Sequence, residues 1–267
     1  PVYEQSKFHR GGDNTMQTTQ AQASAGPSTG RQPAGPLKGL KIIDLTAVLM
    51  GPYCTQMLGD MGAEVIKVEP PDGDMVRQIG PARHADMGPI FLNTNHSKRS
   101  IVIDLKKPEG LDLLMRLISD ADVLVYNVRP QAMERLGLSY EKVSAVNPRL
   151  IYTGVFGYAQ NGPYAARPAY DDLMQGASTL ASLFARSTGG PPQYVPNALC
   201  DRITGMSAVG LILAAVYERQ TSGLGQRIDV PMFEGIASIV LGEHLAGRLM
   251  AAGEMSLKEA LTEIRRS

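Results

Sequence analysis

The chain has 267 residues, which is enough for one large domain or two small ones with a sizeable buried core. Its 26 basic and 26 acidic residues give a formal net charge of zero, so the sequence predicts no general attraction to nucleic acid or to an anionic membrane. The two cysteines, Cys54 and Cys200, lie far apart without metal-ligand or disulfide spacing, which favours a reduced, cytoplasmic location.

The N-terminal segment differs in composition from the rest of the chain. Residues 15–36 are rich in Gln, Thr, Ala, Ser, Gly and Pro and show no apolar periodicity. This composition predicts that residues 1–36 form a disordered tail. The segment has neither the apolar core of a signal peptide nor the Arg-rich amphipathic face of a transit peptide.

The ordered part of the chain opens with a strand, a helix and a second strand. The apolar run at 40–45 predicts a strand, Gly51 and Pro52 open a helical pattern that ends at Gly62, and 64–68 predicts the next strand. A right-handed crossover between parallel strands places the loop at 46–52 at the carboxyl end of the first strand. Open α/β sheets bind ligands at that edge, so this loop is a candidate wall of the site.

The same alternation continues along the chain and predicts an α/β fold, a Rossmann-like open parallel sheet with helices on both faces. No G-x-G-x-x-G fingerprint follows the first strand, so a nicotinamide-dependent enzyme is not expected. The strongest apolar stretch, at about 206–217, is short for a bilayer span and predicts a buried helix in a soluble protein. The further predicted strands are 100–105, 123–126, 150–156 and 226–230, and the further predicted helices are 109–119, 171–184, 204–220 and 232–250.

Asp201 stands where an irregular segment passes into a long apolar run that opens at Ile203. A carboxylate in this position can be oriented as a nucleophile, or it can cap the helix by accepting from an unpaired backbone amide. An unperturbed Asp has a pKa of about 3.9, so its side chain would be ionised at neutral pH. These residues by themselves leave both roles open.

Several motifs, in their order and spacing, resemble the family III acyl-CoA transferases, which include formyl-CoA transferase and the α-methylacyl-CoA racemases. The resemblance covers about residues 37–248, and ALCDRITG at 198–205 is similar to the segment that carries the family's catalytic aspartate. It implies that Asp201 is the nucleophile. The other motifs are GPYC at 51–54, GAEVIKVE at 62–69, NHSKRS at 95–100, NPRLIY at 147–152 and TSGLGQ at 221–226.

The resemblance implies transfer of coenzyme A between an acyl-CoA thioester and a carboxylic acid acceptor, through an aspartyl anhydride and an aspartyl-CoA thioester. Coenzyme A is then a cosubstrate, and no tightly bound cofactor is expected. A metal site is not expected either, because His96 has no ligand partner at suitable spacing. We expect no nucleic acid and no membrane among the partners.

The resemblance also assigns a CoA site. Coenzyme A needs cations or helix N-termini for its phosphates and an apolar channel for its pantetheine arm, although exposed Lys and Arg are most often ordinary surface. Leu49 replaces a Gln of formyl-CoA transferase, which suggests a larger acyl group than formyl or oxalyl, such as a dicarboxylate or a branched acid. The residues assigned to the CoA site are Ala47, Val48, Leu49, Lys98, Ile103, Lys106, Asn127, Arg135 and Tyr170.

Tyr170 and Asp171 distinguish two activities of this family. The racemases place a catalytic His before an Asp at this point, whereas this chain has a phenol, whose pKa of about 10 makes it a poor proton carrier. Racemase activity is therefore the less favoured alternative. Asp171 could orient groups around the acyl-aspartyl intermediate, or it could interact with a helix dipole. Met232 could lie near the acyl-CoA or in the core.

The resemblance also bears on domains and assembly. It implies a large CoA-binding domain at 37–235 and a helical linker or tail at 236–267, without the family's second, smaller domain. Relatives form interlocked dimers with the site between subunits, so we expect a homodimer and reduced or no activity from this chain by itself. A non-catalytic CoA-binding module is the remaining alternative.

Overall fold

A computed structural model of the protein describes residues 35–251, with side chains described to residue 245. Six strands form a single parallel sheet: β1 (Lys41–Leu45), β2 (Glu64–Glu69), β3 (Lys98–Val102), β4 (Val123–Tyr126), β5 (Ile151–Phe156) and β6 (Arg227–Pro231). Their order across the sheet is β3-β2-β1-β4-β5-β6. The strand order reverses between β1 and β4: the chain first builds the sheet outward from β1 to β3 and then continues on the other side from β4 to β6. Open α/β sheets form ligand crevices at such a switch point.

The connections between strands are helical. Three of these helices begin on a proline, whose missing N–H has no intrahelical partner at that position in any case. A short 3₁₀ turn lies at Met75–Arg77. The helices are α1 (Met50–Asp60), α2 (Pro89–Asn95), α3 (Pro108–Ser119), α4 (Pro130–Arg135), α5 (Tyr140–Val146), α6 (Asp171–Ala177), α7 (Leu180–Thr188), α8 (Leu199–Ser222) and α9 (Met232–Ala251).

The sheet is covered on both faces. Helices α1 and α8 pack Leu58 and Ile212 against Ile42 and neighbouring side chains on one face. The other face is covered by α3, α4 and α5, whose apolar side chains meet Leu124 and its neighbours. Every residue of β4 and β5 is consequently buried. This arrangement confirms the predicted α/β fold with an open parallel sheet and helices on both faces.

Two predicted helices differ from the observed ones. The segment predicted as one helix at 171–184 is divided into α6 and α7, because Thr179 between them has a left-handed backbone, with φ of 64°. The helix predicted at 204–220 begins earlier, at Leu199, so that Asp201 lies inside α8 and not before it. The predicted domain boundary at 235 falls within α9, which is one continuous helix.

Helices α1 and α8 cross closely at Gly205. A β-carbon at this position would lie 2.6 Å from the carbonyl oxygen of Met50, so only glycine fits without a shift of the backbone. A β-carbon at Gly51 would likewise meet the side chain of Thr46 at 2.4 Å. Gly205 therefore lets the second turn of α8 approach the start of α1, and Gly51 lets the start of α1 pack on Thr46 in the loop that follows β1.

Among residues 35–251, α8 is the one helix long and apolar enough to cross a membrane, with a mean hydropathy of 1.6 over its most apolar part. It packs in the core between α1 and the sheet, as a central helix of a folded domain does. The charged segment at 254–267 and nearly all of the predicted N-terminal tail at 1–36 lie outside the described residues.

Candidate active site

The loop after β1 is held from two sides. Asn127, which follows β4, accepts from the backbone N–H of Ala47 through Oδ1 (3.0 Å) and donates to the Ala47 carbonyl through Nδ2 (2.7 Å). The N–H of Val48 donates to Asp74 Oδ1 at 3.2 Å, and Val48 has a left-handed backbone, with φ of 73°. A β-branched residue in this region is strained, so the contacts around it must impose the conformation. The loop is therefore a fixed surface.

Two buried ion pairs lie beneath this loop. Lys67 Nζ is 3.0 Å from Asp74 Oδ2 and donates to the Thr46 carbonyl at 2.8 Å, which ties β2 to the loop. Lys98 Nζ is 3.0 Å from Asp44 Oδ2 and ties β3 to β1. Burial by itself would raise the pKa of Asp44, but the charges of Lys98 and Lys67 outweigh it and hold that pKa below its ordinary range.

Lys98 is not available to a CoA phosphate in this structure. Its side chain is only 2% exposed, and its ammonium also donates to the Pro52 carbonyl and to Asn95 Oδ1, both at 2.8 Å. With Asp44 these acceptors use all three of its donors. In this geometry Lys98 neutralises a buried carboxylate, and its assignment as a CoA ligand stays a prediction.

Asp201 is the third residue of α8. Ala198 precedes the helix and provides no side-chain cap, and the backbone N–H of Asp201 donates to Asp171 Oδ1 at 3.0 Å. Asp171 is the first residue of α6. Asp171 therefore performs the capping that Asp201 was considered for, and the carboxylate of Asp201 lines a cleft instead.

The carboxyl of Asp201 does not have the ordinary pKa that the sequence suggested. Burial raises its pKa, the negative charge of Asp171 raises it further, and Arg202 only partly opposes them, so that it reaches about 7. At neutral pH the group is both substantially ionised and more basic than a surface carboxylate. Cys200 beside it is buried, and burial together with the two carboxylates raises the pKa of its thiol to about 12.

The cleft has a volume of about 290 Å³ and lies between the β1 loop and the first turn of α8. It brings together most of the assigned residues that lie near the carboxyl edge of the sheet. Asp171 does not line the cleft, but its Oδ1 accepts from the backbone N–H of Asp201. The assigned residues that line the cleft are Ala47, Val48, Leu49, Asn127, Tyr170 and Asp201.

Besides Lys98, three more residues that were assigned to the CoA site lie outside the cleft. Ile103 is 4% exposed and packs in the core under α3, so its side chain is not available to a ligand. Lys106 and Arg135 are exposed, and their assignment to CoA stays a prediction. Met232 is 1% exposed and packs with Met174 in the core, as its alternative role predicted.

The sequence interpretation missed two cations of the cleft, Arg129 and Arg167. Arg129 comes two residues after Asn127 at the carboxyl end of β4, and this position alone could have indicated it. Arg167 lies in an irregular segment without any periodic pattern, and its guanidinium stacks on Tyr164 at 4.5 Å. The cleft therefore offers two positive charges at its wall.

The described histidines lie away from the cleft. His96 Nε2 is 3.3 Å from Asp60 Oδ2, and His244 contacts Thr179 and Arg186. Between residues 35 and 251 no group of three or more side chains is arranged to hold a metal ion. Within this range the cleft consequently contains no imidazole that could move a proton at a substrate carbon.

The fold and the site together define an α/β protein whose ligand cleft opens at the carboxyl edge of a parallel sheet, beside a carboxylate of raised pKa. The chain belongs to CoA-transferase family III, whose family model matches residues 37–262. Coenzyme A is the substrate from which that family takes its name. The predicted family is thereby confirmed.

The chain is similar to several curated members of this family. It is 43% identical over 221 residues to an acyl-CoA transferase of Fusarium pseudograminearum, with 79% of this chain and 48% of the relative covered. It is 40% identical over 217 residues to the succinate–glutarate CoA-transferase of Agrobacterium fabrum, with 79% and 54% covered. Formyl-CoA:oxalate CoA-transferase of Escherichia coli is 38% identical over 209 residues, with 76% and 49% covered.

The chain is also similar to solved structures over most of its length. A CaiB/BaiF family protein from Brucella suis superposes with a TM-score of 0.74 at 36% identity, covering 83% of this chain and 58% of that one. Rv3272 from Mycobacterium tuberculosis superposes with a TM-score of 0.71 at 33% identity, covering 84% and 61%. The chain spans about half the length of the curated relatives it matches.

Proposed function

We propose that this chain carries the acyl-CoA half-site of a CoA-transferase, with Asp201 as the nucleophile. One observation carries the proposal: Asp201 lines the cleft together with the loop Ala47–Leu49, while its backbone amide is held by Asp171. The carboxylate is thus oriented by its helix and aimed at the edge of the sheet where ligands bind.

In the first step a carboxylate oxygen of Asp201 attacks the carbonyl carbon of the acyl-CoA thioester. The carbon–sulfur bond breaks, CoA leaves as its thiolate, and a mixed anhydride joins Asp201 to the acyl group. The thiolate then attacks the Asp201 carbonyl, which releases the donor acid and leaves an aspartyl-CoA thioester. The raised pKa of Asp201 suits the attack, because a more basic carboxylate is the stronger nucleophile.

The second half of the reaction repeats these steps with the acceptor acid. The acceptor carboxylate attacks the aspartyl-CoA carbonyl and expels the CoA thiolate, which forms a new anhydride on Asp201. The thiolate then attacks the acceptor's acyl carbon, giving the new acyl-CoA and the free carboxylate of Asp201. No external base is needed, because each attacking group is already an anion.

The oxyanion that develops on the thioester needs hydrogen-bond donors. Helix α1 begins at Met50, directly after the loop, without a side-chain cap and without an acidic residue in its first turn. Its first backbone N–H groups and the positive end of its dipole therefore stand beside the cleft, which Met50 lines. They are the donors we assign to the oxyanion.

Arg129 and Arg167 are the cations we assign to the phosphates of CoA, since both line the cleft. Lys106 and Arg135 are exposed and are assigned to its outer phosphate groups. Leu49, at 7% exposure, provides apolar surface where an amide would suit a small acid. We therefore propose a dicarboxylic or branched acyl group, and the name of the Agrobacterium fabrum relative agrees with the former.

The experiment that tests the nucleophile is intact-protein mass spectrometry after incubation with a panel of acyl-CoAs and hydroxylamine. We expect a hydroxamate on the peptide that contains Asp201, present in the wild type and absent in Asp201→Asn. Asp172→Asn is the matched control, because Asp172 is an exposed carboxylate beside Asp171 and should leave trapping unchanged.

Other outcomes separate the alternatives. Retained CoA binding without any adduct would indicate a non-catalytic CoA-binding module. Exchange of the substrate α-proton into deuterated solvent, without a carboxylic acid acceptor, would indicate a racemase. The position of the histidines outside the cleft argues against that activity.

We propose a cytoplasmic homodimer as the form in which the site operates. Buried, unpaired cysteines agree with a reducing compartment. Large apolar side chains remain exposed along α8 and α9, as at a surface that a further polypeptide covers. These are Met206, Leu211, Tyr217, Ile239 and Leu241. Size-exclusion chromatography with light scattering measures the mass, and a monomer at micromolar concentration would contradict the assembly.

A further inference from the structure

Gln175 is a buried amide directly behind the site. It lies one helical turn after Asp171 on α6 and is only 2% exposed. Its Nε2 donates to Asp171 Oδ2 at 2.7 Å and lies 3.3 Å from the carbonyl oxygens of Val195 and Asn197. Its Oε1 accepts from the Val195 N–H at 2.8 Å. Both ends of the amide are thus used, as a buried polar group requires.

These contacts form a chain that ends at the nucleophile. Gln175 occupies Oδ2 of Asp171, and the backbone N–H of Asp201 occupies Oδ1. Rotation of the Asp171 carboxylate would therefore break one of the two bonds. The two partners on opposite oxygens hold the acid in one orientation.

The same amide also holds the segment that leads into α8. Its bonds to Val195 and Asn197 fix the backbone just before Leu199, where the helix begins. Gln175 therefore connects α6 with both the acid that caps α8 and the chain that enters it. The segment at 189–198 is otherwise irregular, so its course depends on such contacts.

We propose that Gln175 is a positioning residue for the transfer reaction: its buried amide fixes Asp171, so that Asp171 holds the first turn of α8 with Asp201 facing the cleft. The inference rests on the proposed function of Asp201. Gln175 does not line the cleft and acts only through Asp171 and the 195–197 segment.

The choice of an amide has a chemical reason. An amide can donate to Asp171 and accept from Val195 without ionising, whereas a carboxylate in its place would repel Asp171. Methionine has a similar length and shape but cannot donate. Gln175→Met therefore removes the hydrogen bonds while it keeps most of the packing.

A double-mutant cycle between Gln175 and Asp171 tests the inference. We expect Gln175→Met to lower the rate constant of hydroxylamine trapping about tenfold, with an unchanged half-saturating acyl-CoA concentration, because the nucleophile is displaced and the binding surface is not. In the Asp171→Asn background, Gln175→Met should slow trapping by clearly less than the tenfold loss it causes in the wild type, because part of its effect passes through Asp171. Independent, multiplicative losses would overturn the proposal.

Gln56→Met is the matched control. Gln56 is a buried amide on α1, and its Oε1 has no hydrogen-bond partner among the residues that the structure describes. Its replacement should leave the trapping rate within about twofold of wild type, since nothing connects it to Asp171. A loss as large as that of Gln175→Met would assign both effects to general packing and would overturn the proposal.

Amide NMR tests the geometry without any turnover. In the wild type we expect the side-chain NH₂ resonances of Gln175 to shift as Asp201 ionises near pH 7, because Asp171 connects the two groups. We also expect the Asp201 amide to lose exchange protection in Gln175→Met and to keep it in Gln56→Met. Insensitive NH₂ resonances in the wild type would overturn the inference even if Gln175→Met fails to fold. A wild type that forms no adduct would contradict the proposed function alone.

Discussion

The carboxyl of Asp201 is controlled by its nearest neighbours. Burial and the charge of Asp171 raise its pKa to about 7, so the reactive anion forms only as the pH approaches neutrality. Replacing Asp171 with Asn removes the like charge but keeps an oxygen that can accept from the Asp201 amide. We expect the midpoint of the pH–rate profile for trapping to move to lower pH in Asp171→Asn. A midpoint unchanged from wild type would contradict the role of Asp171 in the pKa.

The same pKa predicts how stability depends on pH. The pKa of Asp201 is about 7 in the folded state and about 3.9 in the unfolded state. The contribution of this carboxyl to the free energy of unfolding is therefore fully present below pH 4 and is lost as the pH rises through 7. At pH 8 we expect the free energy of unfolding of Asp201→Asn to be about 2 kcal/mol higher than that of the wild type, after allowance for solvent screening. At pH 4 the two free energies should be nearly equal. Urea titrations at both pH values measure this difference. A variant that is less stable at pH 8 would refute the assignment.

At the scale of elements, the crossing of α1 and α8 determines the position of Asp201, the proposed nucleophile. Gly205→Ala places a β-carbon 2.6 Å from the Met50 carbonyl oxygen, which must displace one helix. We expect the free energy of unfolding to fall by about 1–3 kcal/mol and trapping on Asp201 to slow. Gly210→Ala is the control on the same helix, because open space surrounds that position, and it should raise stability by about 0.5–1 kcal/mol. Equal effects at both glycines would contradict the close crossing.

Much of the element pattern could be predicted from sequence, because strands buried on both faces and a long apolar helix have clear periodicity. The strand at 123–126 was placed at its observed bounds. Helices α2 and α5 have only seven residues each and were missed, since so short a segment shows less than two turns of pattern. The break at Thr179 was missed as well, because threonine gives no local signal for a left-handed backbone.

At the scale of the whole molecule, buried charges link three neighbouring strands below the cleft. Asp44 on β1, Lys67 on β2 and Lys98 on β3 contribute to this network, which sequence alone could not distinguish from a phosphate site. The loop at 46–52 was predicted from its position at the sheet edge, whereas Asn127 and Tyr170 were assigned from the family resemblance. The burial of Lys98 and the environment of Asp201 depend on tertiary packing and had no sequence signal.

We therefore expect Lys98→Met to lower the stability of the fold, with CoA binding affected less directly. It leaves Asp44 buried without its partner, so we expect the free energy of unfolding to fall by about 3–5 kcal/mol. Arg135→Met changes an exposed cation and should alter that free energy by less than about 0.5 kcal/mol while it weakens CoA binding. Urea titration and calorimetric CoA binding separate the two effects. A stable Lys98→Met variant with weak CoA binding would support the assignment of Lys98 as a CoA ligand.

Cys200 gives this protein an internal reporter of local opening. Its thiol is buried beside Asp201, and its pKa is about 12. It therefore reacts with alkylating reagents only when the first turn of α8 opens. The modification rate at Cys200 therefore reports the opening equilibrium of the turn that carries Asp201. A ligand that seals the cleft should slow this labelling, and the native cysteine makes an engineered labelling site unnecessary.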